Sequence, residues 1–316
     1  MALGVGRLRV GMWTAPDAVS GCTVILPPEG TVGAVAIRGA APGTREAAAL
    51  SPAGHVEVCH AVVLAGGSAY GLAAADGVMR RLEAAGVGYP VLGAVVPIVG
   101  AAIVLDASVH DRLSRPDADA GAAAYDAAST DDPAEGRVGA GAGCTVAKVA
   151  GLEHAWRGGQ GVALRQAGGV TVGALVVNNA LGEIVDDDGS WLARARVPDD
   201  APRYPVVAAR SGAGGTASTA RANTVIGVVV TDARLTKAEV HRVADLAHSG
   251  VARTVRPAHT QLDGDALFAL ATGDVDAGPA AVDLVAALAA EAVADAARRA
   301  VRFATGDARI PGLADG

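Results

Sequence analysis

Lysine and asparagine are almost missing from this chain. In 316 residues the only lysines are Lys148 and Lys237, and the only asparagines are Asn178, Asn179 and Asn223. Aromatic residues make up 3% of the chain, and there are three cysteines. Each shortage excludes something. With 26 basic against 33 acidic side chains the net charge is −7, which rules out a nucleic-acid binder of the basic-patch kind. Cys22, Cys59 and Cys144 form an odd set without a C-x-x-C pair, which suits a reduced cytoplasmic setting better than a disulfide framework, with each thiol expected as apolar core filler. The longest uncharged stretch, 86–105, is broken by Pro90, Pro97 and four glycines, so it reads as buried strands and turns rather than a membrane span. Residues 1–9 show no apolar h-region with a small-residue cleavage site, so no secretory signal is expected.

What is present is Ala, Val, Gly and Arg. A hydrophobic fraction of 51% supports a sizeable core and excludes global disorder, and the length fits one large domain or two ordinary ones. Where Arg is so dominant, each remaining Lys or Asn marks a position that Arg, Asp or Ser does not readily fill.

Apolar runs at 22–26, 32–37, 61–64, 101–105, 170–177, 206–209 and 225–230 read as strands covered on both faces. Thr236 to Glu239 is a capping box that opens a helix with Val240, Val243, Ala244 and Ala247 on one stripe and Gly250 as its stop. A second helix is expected over 280–301, with Arg298, Arg299 and Arg302 near its C-terminal end, and a third over about 70–85. Segments 106–137 and 211–220 are linker-like in composition. Sheets sandwiched by helices follow.

The small-residue run 211–220 ends at Asn223-Thr224, immediately before a buried strand. That order suits a self-processing nucleophile. A Thr hydroxyl attacks the preceding carbonyl, water hydrolyses the ester, and the freed α-amine, with a reference pKa of about 7.7 to 8.0, serves as base for its own hydroxyl. An arbitrary Asn-Thr pair is, by contrast, an ordinary join of loop to strand. Asp263-Gly264-Asp265 adds paired carboxylates able to orient such a hydroxyl or ammonium, or else simply a polar turn; Leu267 stands where an EF-hand needs its third oxygen ligand. The glycine-rich run from Arg137 to Lys148 misses both the P-loop and the G-x-G-x-x-G pattern, yet its amides and Lys148 could approach an oxyanion or a nucleotide. Asn178, at a strand end, is either a neutral donor to an oxyanion or a turn residue. Gly66 to Gly71 fails the G-x-S-x-G elbow because Tyr70 replaces the final glycine, which disfavours Ser68 as a nucleophile. His55, Cys59, His60, His241 and His248 lack metal spacing, and Asp186 to Gly189 reads as a solvated turn.

Together, Gly21-Cys-Thr, Gly39 to Glu46, Gly66 to Gly71, Asp76 to Met79, Val96 to Val99, Val138 to Lys148, Gly173 to Asn178, Asn223-Thr224 and Asp263-Gly-Asp265 resemble the DmpA-like N-terminal nucleophile hydrolases. That family holds the β-peptidyl aminopeptidases and the 6-aminohexanoate-oligomer endohydrolase, or nylon hydrolase. Asn-Thr with D-G-D resembles the nylon hydrolase branch, whereas the aminopeptidases typically carry Gly-Ser and Ser-x-Glu. The resemblance implies an αββα sandwich over 1–316, self-cleaved into 1–223 and 224–316, and a homo-oligomer, a tetramer of such pairs. It implies Thr224 as nucleophile, Asp263 and Asp265 as its orienting partners, Lys148 and Asn178 in substrate and oxyanion binding, and an amide as substrate. No cofactor, metal, nucleic acid or membrane is called for. Both pieces are net acidic, so an apolar core must hold them together. Two departures stand out. Leu105 precedes Asp106 where the family usually has an active-site Tyr, and Ala48 stands where it tends to have Asp.

Overall fold

The computed structural model describes residues 2–106, 115–201, 223–278 and 281–316; the expected strand 206–209 and the run 211–220 lie outside them. Ten strands build two five-stranded sheets: β1 (Arg9–Thr14), β2 (Gly21–Leu26), β3 (Val32–Ile37), β4 (Thr44–Arg45), β5 (Ala61–Ala65), β6 (Val99–Ile103), β7 (Gly159–Ala167), β8 (Val170–Asn179), β9 (Thr224–Ala233) and β10 (Ala266–Val275). One sheet runs β1-β2-β5-β6-β4 and the other β7-β8-β9-β10-β3. In each sheet one pair is parallel, β5 with β6 and β9 with β10. A parallel pair needs a crossover, and a helix supplies each: α1 (Ala74–Ala84) in the first sheet and, with α2 (Ala118–Asp126) intervening in sequence, α3 (Lys237–Thr254) in the second. The last helix, α4 (Ala281–Arg302), packs beside α3.

Three apolar layers fix the order of these elements. Ile25, Val62, Leu64, Leu175, Val177, Ile226, Val228 and Phe268 fill the space between the sheets. Val172, Val176, Val229, Val243, Val251 and Val293 lie between the second sheet and α3 with α4, and Val24, Val63, Val78 and Ala120 between the first sheet and α1 with α2. The result is the expected αββα sandwich. Burying each large side chain fully contributes roughly 1.5–3 kcal/mol, and the inter-sheet layer is the one to which both sheets contribute.

Most expected elements stand within a few residues of their sequence positions. Gly250 does not stop α3, which runs on to Thr254; a Cβ there would lie 2.3 Å from the Ala290 carbonyl, so this glycine lets α3 and α4 touch. The segment 106–137 is not all linker, because Asp117 caps α2 by accepting from the Ala120 N–H at 2.9 Å.

The second sheet interleaves the two expected pieces: β9 and β10 from 224–316 lie between β8 and β3 from 1–223. Apolar burial is joined by local ion pairs that the net charges do not reveal. Arg299 pairs with Glu135 at 2.5 Å and Arg302 with Asp186 at 2.5 Å, while Arg298 pairs with Asp187. The Asp186–Gly189 turn is therefore tied to α4 rather than merely solvated. Among the described residues, no helix is long and apolar enough to cross a membrane.

Candidate active site

Strand register brings Asn223-Thr224 and the D-G-D run together. β9 and β10 run parallel with Ile226 beside Ala266, and the same offset continues backwards to a bridge between Asn223 and Asp263. Thr224 therefore starts its strand level with Gly264. A Cβ on Gly264 would sit 3.0 Å from the Thr224 Oγ1 and 2.7 Å from the Ala41 carbonyl, so the missing side chain is what leaves room for the hydroxyl. The chain after β3 closes the other side. Arg38 and Gly39 donate their N–H groups to the Asp265 carbonyl at 2.9 and 3.1 Å, and Ala41 donates to that of Asp263 at 2.9 Å. Gly39 permits that approach, since a Cβ there would meet the Asp265 nitrogen at 2.2 Å.

The Thr224 hydroxyl donates to the Asn223 carbonyl oxygen, and the Gly264 N–H donates to the same oxygen at 3.2 Å. Asp265 accepts from the Val225 N–H at 2.6 Å through Oδ1, and through Oδ2 it meets the His259 Nδ1 at 2.7 Å. Asp263 accepts from the backbone N–H and the hydroxyl of Thr260, at 2.8 and 2.5 Å. Asn223, Thr224, Asp263 and Asp265 are all buried. Burial, then the neighbouring Asp265, pushes the Asp263 carboxyl above its ordinary range.

Lys148 is buried too, and its Nζ donates to the backbone carbonyl and the side-chain Oδ1 of Asn179, at 3.0 and 3.2 Å. Burial lowers its ammonium from 10.5 to about 7 against the opposing pull of Cys144, Asp263 and Asp106. Asn179 pairs across the ladder with Thr224, so the two side chains share a face of the sheet. Asn178 is not brought to this cluster. It pairs with Val225, on the opposite face, and its Nδ2 donates to the Ala297 carbonyl of α4 at 3.0 Å. Alternation along β8 puts one asparagine on each side, and the one beside Thr224 is Asn179. Asn179 also bonds Leu105, whose carbonyl accepts from its Nδ2 at 2.9 Å. Leu105, which precedes Asp106, thus borders the cluster through its backbone.

The glycine-rich loop spends its amides inside the protein. The Gly139 and Ala140 N–H groups donate to the Thr14 and Thr23 hydroxyls, that of Thr145 to the Asn179 Oδ1, and those of Ala147 and Lys148 to the carbonyls of Gly182 and Leu181. They are not presented to a phosphate, which removes the physical basis for reading the loop as a nucleotide site. Among the described residues, no three His, Cys, Asp or Glu side chains gather as a metal site. Sequence reading passed over Asn179, Gly264 and His259. For the first two the signal was available, since both are adjacent to residues already singled out.

Four layers in the order αββα, with the buried Thr224 heading a central strand, match the N-terminal nucleophile hydrolase fold. Solved structures agree. A Burkholderia sp. beta-aminopeptidase superposes with a TM-score of 0.73 at 24% identity, covering 98% of this chain and 90% of that one. The L-aminopeptidase D-Ala-esterase/amidase from Ochrobactrum anthropi, described as a variant of the Ntn hydrolase fold, gives 0.71 at 20%, covering 98% and 88%. Residues 4–310 match peptidase family S58, and the chain belongs to that family; it is a hydrolase acting on amide bonds. It is 48% identical over 282 residues to an uncharacterized aminopeptidase of Mycobacterium leprae (strain TN), spanning 86% of this chain and 75% of that one. It is 33% identical over 276 residues to the 6-aminohexanoate-oligomer endohydrolase of Agromyces sp. (strain KY5R), spanning 85% and 74%.

Proposed function

We propose that this chain is a self-processing amide hydrolase with Thr224 as its nucleophile, acting on linear ω-amino-acid oligomers such as those of 6-aminohexanoate. The observation that carries the reading is the pair of hydrogen bonds on the Asn223 carbonyl, one from the Thr224 hydroxyl and one from the Gly264 N–H. The hydroxyl is held against the bond it would cut, and the amide polarises that carbonyl. Attack of Oγ1 on the Asn223 carbonyl carbon breaks the peptide bond, whose nitrogen leaves as the Thr224 α-amine after taking up a proton. Water then hydrolyses the ester to a carboxylate at Asn223 and a free hydroxyl at Thr224. In each later cycle the α-amine accepts the hydroxyl proton as Oγ1 attacks a substrate amide and delivers it to the departing amine, and water releases the acyl group. Asp263 and Asp265 orient the amine, and Lys148 with Asn179 supplies donors for the developing oxyanion. This chemistry needs no cofactor or metal. The pieces remain joined through the β8–β9 and β3–β10 ladders, and a cytoplasmic tetramer of such pairs belongs to the same reading.

Denaturing mass spectrometry is expected to show two polypeptides, 1–223 and 224–316, and Thr224→Ala to leave one chain without activity. A single intact chain that still hydrolyses amides refutes the reading. A second reading, an aminopeptidase requiring a free substrate amine, is supported by the 48% identity to the uncharacterized aminopeptidase of M. leprae. Loss of turnover on N-capping the oligomer selects it; indifference to the cap selects cleavage within the oligomer.

A further inference from the structure

The Asp265 carboxylate is held mostly by one residue outside the D-G-D run. Of the three hydrogen bonds it receives, one comes from the Val225 N–H at 2.6 Å; the other two come from His259, through its ring Nδ1 at 2.7 Å and its backbone N–H at 3.2 Å. A carboxylate can only accept, so the ring proton of His259 sits on Nδ1. His259 has little freedom of its own. Its backbone stands at φ +55°, in the left-handed region, and its ring packs edge-on against that of His248 on α3, with centroids 4.9 Å apart at 71°. His248 is anchored in turn by its Nε2 to the Ala36 carbonyl at 3.1 Å, and burial keeps it neutral by lowering it to about 4. A chain of contacts therefore runs from α3 through His248, His259 and Asp265 to the amide that follows Thr224.

We propose that His259 is a positioning residue for amide hydrolysis: it clamps the Asp265 carboxylate against the Val225 amide and so fixes where the Thr224 hydroxyl and α-amine stand. The proposal rests on Thr224 being the nucleophile. The competing role is a histidine that merely braces the turn before β10. The two differ in which quantity moves on substitution.

The test compares His259→Gly with His259→Asn in the full chain, using linear 6-aminohexanoate oligomers as the probe and the rate of self-cleavage as a readout that needs no added substrate. Glycine and asparagine both accept a positive φ and keep the backbone N–H that reaches Oδ2, but only asparagine adds a side-chain N–H in place of the ring donor. Losing a charge-assisted donor at this position is expected to lower kcat about 10- to 100-fold in the glycine variant with KM within about twofold, and asparagine is expected to recover most of that loss. Native kcat in the glycine variant, a loss confined to KM, or an asparagine variant that falls as far as glycine while unfolding at the same urea concentration as the parent each overturns the proposal. If the glycine variant fails to fold, His259→Asp replaces it, being the same shape as asparagine without the donor; kcat equal to that of asparagine then overturns the proposal. Thr224→Ala runs alongside. Activity surviving in Thr224→Ala refutes the nucleophile and this proposal together, whereas activity lost there but unmoved by His259→Gly refutes this proposal alone.

Discussion

Lys148 gives the sharpest quantitative consequence of the site. Its ammonium is buried and its titration lies at about 7 in the folded chain against 10.5 unperturbed. Between those values the unfolded chain holds a proton that the folded chain lacks, so stability rises with pH through this window; the penalty for burying the charge is present in full below about pH 7 and fades above it. Integrating the proton difference from pH 7 to pH 9 gives a gain of about 2 kcal/mol from this residue alone. The comparison is made in the Thr224→Ala background, where every molecule keeps the uncut geometry, with and without Lys148→Met. Urea unfolding at pH 7, 8 and 9 is expected to show the parent gaining about 2 kcal/mol over the Met variant across that range. At pH 7 the Met variant should be at least as stable as the parent despite losing the two bonds to Asn179, because removing a costly buried charge offsets them. Parallel pH profiles for the two proteins would refute the assignment of a depressed lysine.

The two asparagines of β8 separate fold from chemistry. Asn179→Ala should cut turnover about 10-fold or more, by removing the amide that bonds Thr145, Lys148 and Leu105 beside Thr224, whereas Asn178→Ala should cost about 1–2 kcal/mol in urea unfolding with turnover close to native; the reverse pattern overturns the face assignment. Gly264→Ala presses a methyl group between the Thr224 hydroxyl and the Ala41 carbonyl. It should slow self-cleavage at least about 10-fold, followed by mass spectrometry of the ageing chain, with the fold intact by circular dichroism; cleavage at the native rate refutes the close fit of hydroxyl to glycine.

The sandwich was legible because its strands are Val-rich runs between glycines and prolines and because Thr236 and Glu239 form the capping box they spell out. The missed elements have physical reasons. β10 is apolar over 266–271 and carries no period to distinguish strand from helix, and α2 hides in an Ala- and Asp-rich segment whose one signal is the Asp117 cap. That Asn178 lies on the opposite face from Thr224 was hidden for a related reason. β8 is buried on both faces, so nothing in 170–177 says which parity points between the sheets; only pairing with β9 decides it. His259 carried no signal at all, since its contact with Asp265 depends on a left-handed backbone turn and on α3 passing behind it.

Scarcity of lysine proved informative, but not about catalysis as such. Lys148 bonds Asn179, the ladder partner of Thr224, yet Lys237, the other lysine, donates to the carbonyls of Ala49, Gly54 and Val56, at 2.7, 2.7 and 2.5 Å, and braces the loop ahead of β5. Both ammonium groups converge on more than one backbone or amide oxygen. A compact ammonium with three donors suits such a cage, whereas the flat fork of arginine suits a carboxylate, and the arginines of this chain do pair with carboxylates, as at Glu135 and Asp186. In a chain this poor in lysine, what the rare residue marks is a small oxygen-lined pocket. Whether that pocket serves structure or chemistry is decided by its neighbours, and of the two lysines it is Lys148 that has Asp263, Asp106 and the amide of Asn179, the ladder partner of Thr224, among them.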